Sequence, residues 1–189
     1  MARARVGVLI SGRGSNMVAL AEAAEAADCP YEITLVASND PDAEGLARAR
    51  MLGIPTWARS HRGMEREGFD ALVTTALEEA GVEYVALAGY MRMLSPAFVA
   101  RWRDHMINIH PSLLPRHKGL HVYARAIEAG DSESGCTVHI VSEELDSGAI
   151  LAQARVPILP GDTPEALAAR ILIEEHRLYP ATLAEYVTR

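Results

Sequence analysis

Apolar residues in the first half of the chain fall in short, nearly unbroken runs, separated by stretches with helical spacing. Residues 5–10, 31–38, 54–57 and 83–88 read as strands buried on both faces, because a strand with one wet face alternates instead. Between them, residues 15–27, 43–52 and 68–80 read as helices. This rhythm predicts an α/β, doubly wound, mainly parallel sheet joined by right-handed crossovers. It changes after His110. Residues 136–141 and 149–156 read as two more strands, and the turn-rich linker 142–148 between them is too short to hold a helix. That predicts an antiparallel pair late in the chain. Thr163 as N-cap with Pro164 behind it opens a closing helix, which Pro180 is expected to kink or interrupt. With no repeat, low-complexity tract or linker, residues 1–189 are expected to form a single domain.

Composition narrows the class. The 49% apolar and 23% charged content is that of a globular chain. A net charge of −7 argues against broad nucleic-acid binding, although a local site can still hold a small anion. Two cysteines, Cys29 and Cys136, supply neither a disulfide framework nor a metal quartet. The opening apolar run is too short for a secretory leader, and no run approaches bilayer length, so a cytoplasmic location is expected.

Candidate chemistry centres on Asn108-Ile109-His110-Pro111. Strand alternation sends Asn108 and His110 to one face, at the end of a strand that proline terminates. Open α/β sheets place ligands at the carboxyl ends of their strands. An amide beside a group that titrates near neutrality suits a tetrahedral oxyanion. The plainer alternative is a strand end whose Asn and His cap backbone groups.

The turn Ser11-Gly12-Arg13-Gly14-Ser15-Asn16 follows the first strand and opens the first helix. Two glycines allow close backbone approach, and the helix start offers free N–H groups for an anion. A dinucleotide fingerprint fits poorly, because its third glycine falls at Met17, although Asp40 near the end of the second strand keeps that reading open. A phosphate monoester fits the shorter turn, and so does a plain tight turn with Ser15 as N-cap. Asp146, in the late linker, either shapes its turn or pairs with His110. His117 and His121 stand four apart, but Gly119 between them and Pro115 before them make an aligning helix doubtful, so no metal is expected. His139, inside a strand, reads as a hydrogen-bonded structural histidine.

Five segments together resemble the folate-dependent formyltransferases over nearly the whole chain. They are the turn from Ser11 to Asn16, Ala88-Gly-Tyr-Met-Arg-Met-Leu-Ser-Pro-Ala-Phe98, Asn108-Ile-His-Pro-Ser-Leu-Leu-Pro115, Gly119-Leu-His121 and Glu144-Leu-Asp-Ser-Gly148. The Asn-x-His-Pro-Ser-Leu-Leu-Pro run marks the family generally, including the enzymes that formylate initiator methionyl-tRNA. The Ser-Gly-x-Gly-Ser-Asn turn is similar to that of the purine-synthesis branch acting on glycinamide ribonucleotide.

The resemblance implies the Rossmann-like formyltransferase fold and formyl transfer from 10-formyltetrahydrofolate, a co-substrate, to the amine of 5-phosphoribosylglycinamide, without a metal. It implies Asn108, His110 and Asp146 as the catalytic trio. Gly14, Ser15 and Asn16 would hold the substrate phosphate and Glu175 the ribose hydroxyls. Met91, Arg92, Met93, Leu94 and Asn108 would meet the folate, with Leu87, Phe98 and Val99 as apolar walls and Arg66 at the glutamate tail. Relatives often carry a second His where Tyr123 stands, which puts a proton relay there in doubt. Rival readings are a deformylase, whose extra N-terminal domain finds no room before a strand starting at Arg5, methionyl-tRNA formylation, and a non-catalytic metabolite sensor. The last would not need all three of Asn108, His110 and Asp146. The partners implied are small molecules, with no nucleic acid and no membrane, and oligomeric state stays open.

Overall fold

A computed structural model describes residues 2–189. Seven strands form one sheet in the order β3-β2-β1-β4-β5-β6-β7. The strands are β1 (Ala4–Ile10), β2 (Tyr31–Ser38), β3 (Thr56–Ala58), β4 (Tyr84–Leu87), β5 (Met106–His110), β6 (Glu133–Ile140) and β7 (Ile150–Pro157). The helices are α1 (Ser15–Ala24), α2 (Glu44–Met51), α3 (Arg66–Glu79), α4 (Pro96–Arg101), α5 (Val122–Glu128) and α6 (Pro164–Tyr186). β3, β2, β1, β4 and β5 run parallel, whereas β6 is antiparallel to both β5 and β7. The expected late pair is present, and β5 joins it with a second antiparallel pairing.

Both faces of the parallel strands are dry. Val8, Ile10, Ala86 and Ile107 pack with α1, α2 and α6 through Met17, Leu20, Leu46, Ile171 and Leu183. Leu9, Val85, Leu87 and Met106 face the other way, onto Phe69, Val73 and Leu77 of α3 and Phe98 and Trp102 of α4. Double-sided burial is the physical reason these strands read as continuous apolar runs. Strand order reverses around β1, whose neighbours β2 and β4 lead off in opposite directions, so a crevice opens beyond the carboxyl ends of β1 and β4.

Several boundaries differ from expectation. α1 stops at Ala24 rather than residue 27, because the following residues form tight turns, with Ala26 N–H on Ala23 O and Cys29 N–H on Ala26 O. β6 starts at Glu133, three residues early for an apolar reading, since its first residues are polar. α4 and α5 were not expected at all. Thr163 caps α6 through a bond from Ala166 N–H, as anticipated. Pro180, however, neither interrupts nor ends α6. Proline removes one helical hydrogen bond, to the carbonyl of His176. His176 and Pro180 both line an open groove, so water can serve the freed carbonyl.

One turn further, buried Tyr179 threads its hydroxyl between strands, within 2.9 Å of Leu87 O and 3.2 Å of Ile107 O. It joins α6 to β4 and β5, the strands nearest the candidate site. Tyr179→Phe should therefore lower unfolding free energy by about 1–2 kcal/mol, read as an earlier midpoint in urea with unchanged slope. An unchanged midpoint would show that the bridge contributes nothing.

Candidate active site

β5 carries Ile107 and Ile109 into the core beneath α6 and turns Asn108 and His110 to the opposite face. The antiparallel register sets Asn108 against His139 and His110 against Thr137. Directly opposed residues share a face, so all four side chains meet there. His139 Nδ1–H donates to Ile140 O at 3.0 Å, which leaves Nε2 to accept from Asn108 Nδ2 at 3.2 Å. Burial lowers the pKa of His139, keeping the ring neutral and able to accept. Asn108 is thereby oriented, with one Nδ2 hydrogen still free. The turn after His110 is held from β6 and β7. Thr137 Oγ1 donates to Ser112 O at 2.7 Å and accepts from Leu114 N at 3.1 Å, while Gln153 Nε2 bonds Leu114 O at 2.9 Å.

Asp146 reaches this face from the β6–β7 loop. Gly148 lets that loop lie flush on β6, because a Cβ there would stand 1.7 Å from Ile140 O. Asp146, at φ 50°, is buried, with Oδ2 3.4 Å from His110 Nδ1 and Oδ1 3.7 Å from His139 Nε2. Gly119 N–H donates to Oδ2 at 2.9 Å. Asn108, His110 and Asp146 thus lie together. His110 also donates Nε2–H to His117 O at 3.0 Å, a contact that the sequence did not announce. His117 is itself paired with Asp131 at 2.7 Å. His117 and His121 both have left-handed backbones, at φ 52° and 57°, so no helix aligns them. Among the described residues no group of three or more His, Cys, Asp or Glu is placed to hold a metal.

The glycine turn forms a second cluster. Gly14, at φ 69°, caps α1, and Ser15 is its first helical residue rather than its cap. A Cβ on Gly14 would come 2.9 Å from Gly45 Cα, so glycine is needed for packing against α2 as much as for ligand approach. Met17 is fully buried where a dinucleotide turn would carry its third glycine. Asp40 is exposed and accepts from Asp42 N–H at 3.0 Å, shaping a turn. Neither position supports a dinucleotide. Asn16 Nδ2 donates to Glu175 Oε2 at 2.8 Å, linking α1 to α6, and Glu175 is only 5% exposed. Burial raises its carboxyl pKa. A groove of about 440 Å³ runs from Ser15 past Glu22, Arg48 and His176, and Arg48 is a cation that sequence reasoning missed. Burial and the nearby Glu175 push the Tyr123 hydroxyl up to about 12, so it stays protonated at neutral pH.

Segment 91–94 leaves β4 with alternating sides. Met91 and Met93 are 73% and 50% exposed, whereas Leu94 packs on the α3–α4 core and Arg92 lies over the Phe69 ring at 5.0 Å. Leu87, Phe98 and Val99 are buried core residues under the segment, not exposed walls beside it. Exposed Leu120 and Leu145 flank the contact between Gly119 and Asp146, adding to the apolar surface near the trio. Arg66 stands exposed at the first position of α3 and forms no ion pair among the described residues.

An open α/β sheet that gathers an amide, an imidazole and a carboxylate on one strand face is equipped for group transfer through a tetrahedral oxyanion. The formyl transferase family matches residues 4–183, and the chain belongs to it. A trifunctional purine biosynthetic protein, adenosine-3, of Drosophila pseudoobscura pseudoobscura is 53% identical over 96% of this chain, which spans 14% of that protein's length. Phosphoribosylglycinamide formyltransferase of Haemophilus influenzae is 44% identical over 95% of this chain and 85% of its own. The crystal structure of phosphoribosylglycinamide formyltransferase from Brucella melitensis, 48% identical, superposes with a TM-score of 0.93 over 97% of this chain and 95% of that one. Among the described residues no helix is long and apolar enough to cross a membrane.

The buried Glu175 carboxyl has a consequence for stability. Its folded pKa is raised, so above the ordinary carboxylate range the unfolded chain ionises more readily and folding is opposed. Glu175→Gln removes that opposition. Its Tm should exceed that of the parent at neutral pH, and the difference should shrink to nothing well below the carboxylate range. A Tm difference independent of pH would disprove the assignment.

Proposed function

We propose that the protein transfers the formyl group of 10-formyltetrahydrofolate to the amine of 5-phosphoribosylglycinamide, a step of de novo purine biosynthesis. The convergence of Asn108, His110 and Asp146 on one face carries this reading. The relatives named phosphoribosylglycinamide formyltransferase support the choice of substrates. The phosphate would sit at the start of α1, on the backbone of Gly14, Ser15 and Asn16, where the helix dipole favours an anion. Glu175 would accept from the ribose hydroxyls. The folate would lie along Met91, Arg92, Met93 and Leu94, where exposed methionine side chains offer apolar surface to a flat ring. Arg66 would meet its anionic tail.

The amine attacks the formyl carbon and the carbonyl oxygen gains charge. The free Nδ2 hydrogen of Asn108 and the Nε2–H of His110 are the donors for that oxygen. His110 gives its Nε2–H to a neutral carbonyl, that of His117. A developing oxyanion is a far better acceptor, so the hydrogen bond passes from that carbonyl to the substrate oxygen as the transition state is reached. The Asp146 carboxylate, 3.4 Å from Nδ1, fixes the orientation of the ring. It also helps a water take the surplus amine proton, and the folate nitrogen departs once protonated.

The test is formyl transfer followed by folate absorbance, with and without the nucleotide. Transfer should require both substrates. Asn108→Ala and His110→Ala should each lower turnover about 100- to 1000-fold while leaving substrate affinity nearly unchanged. Combining them should do little further harm, because a disabled unit has little left to lose. Formyl release that ignores the nucleotide would identify a hydrolase, and a His110→Ala enzyme within a few-fold of the parent would defeat the mechanism.

A further inference from the structure

Ser11, at the end of β1, engages the β4 segment twice. Its N–H donates to Gly89 O at 3.1 Å, and its Oγ accepts from Met91 N–H at 2.8 Å. The hydroxyl has one proton, and that proton is given to Asn39 Oδ1 at 2.6 Å. The bond to Asn39 therefore fixes the direction of the lone pair that meets Met91. Asn39, at the end of β2 and 5% exposed, is held in turn, with Nδ2 3.1 Å from His61 Nδ1. The far end of the segment is held by buried Asp70, whose Oδ2 accepts from Ser95 N–H at 2.6 Å. Segment 91–94 thus hangs between two side-chain acceptors, Ser11 and Asp70. Of the two, Ser11 also begins the turn that opens α1, and it spans the crevice where strand order reverses.

We infer that Ser11 is a positioning residue that sets the folate segment against the phosphate turn, with Asn39 aiming its hydroxyl. The inference rests on the function proposed above. Its effects fall unequally on the two sides of the crevice. The turn has an independent tie, Gly45 N–H on Gly12 O at 3.0 Å, and α1 is packed behind it. Segment 91–94 has exposed methionines and is anchored on the core only through Leu94 and Arg92, so its end at Met91 leans on the Ser11 hydroxyl. Losing the Ser11 hydroxyl should therefore loosen the folate side and spare the nucleotide side.

The experiment is steady-state kinetics on the full chain with both substrates varied, alongside calorimetric titration with tetrahydrofolate. Ser11→Ala should raise the folate KM about three- to tenfold, the worth of one hydrogen bond. The nucleotide KM should stay within about twofold, far below one such bond. Ser11→Thr, which keeps the hydroxyl, should restore the parent folate KM. Asn39→Ala, which touches neither substrate, should shift the folate KM in the same direction, and the double variant should be no worse than Ser11→Ala alone, because the two act as one unit. A folded Ser11→Ala enzyme with the parent folate KM overturns the inference. So does an equal rise in both KM values, or, if Ser11→Ala does not fold, a folded Asn39→Ala enzyme with the parent folate KM. A parent protein that neither transfers formyl nor binds tetrahydrofolate would instead defeat the proposed function itself.

Discussion

The constraint on which the site depends is the pairing of β5 with an antiparallel β6 on a face that no helix covers. Over β1, β2 and β4 that face is closed by α3 and α4, onto which Leu9, Leu35, Ala37, Val85 and Leu87 pack. Over β5 and β6 the covering is two loops, residues 116–121 and 142–148. A helix presents an apolar stripe and demands one in return, whereas a loop presents N–H and C=O groups and can satisfy polar side chains. Asn108, His110, Thr137 and His139 can therefore be half-buried or buried on one sheet face without leaving the fold short of hydrogen bonds. A single step in the β5–β6 register would exchange that polar set for the apolar one packed under α6.

The two loops hold one another as well as the strand. Gly119 N–H bonds Asp146, Lys118 reaches Ser147 and Glu144, and Arg125 ties down the carbonyls of Lys118 and Leu120. His110 sits between them, with Asp146 on one nitrogen and the His117 carbonyl on the other. Both partners are hydrogen-bond acceptors, and together they hold the ring in place between the loops.

The sequence was most legible where burial is simplest. Double-sided burial made the parallel strands visible as apolar runs, and the Thr163–Pro164 signature placed the start of α6 correctly. α4 also carried a start signal, Ser95 followed by Pro96, but its six residues are too few to show a helical period. α5 is seven residues long and begins after His121 in a left-handed conformation, with no side-chain cap to signal its start. Asn108 and His110 were legible together because a two-residue spacing on a strand fixes a shared face. Asp146 was not, since its proximity depends on a loop folding back across the sheet; resemblance to a family, rather than spacing, paired it with His110. His139 could have been matched to Asn108 only by knowing the β5–β6 register. Ser11 and Asn39 belong to the same class of tertiary information, because their bond joins residues on different strands.

The groups that the fold leaves unpaired complete the argument about ligands. Asn16 Oδ1 is buried without a partner, although Nδ2 of the same amide is firmly bonded to Glu175. Glu175, which accepts that bond, keeps a buried carboxyl whose pKa burial raises. A fold optimised for stability alone would not leave the Asn16 Oδ1 acceptor buried without a donor at the start of α1, a deficiency of about 1 kcal/mol or more. On the proposed reading, the deficiency is matched by the substrate. The ribose offers vicinal hydroxyl donors, and the turn that opens α1 offers N–H groups to its phosphate. Discrimination follows from the same mismatch. On that reading a deoxyribose, lacking one of the hydroxyls, would leave Asn16 Oδ1 more nearly as deficient as before, and the unmet hydrogen bond would favour the ligand that meets it.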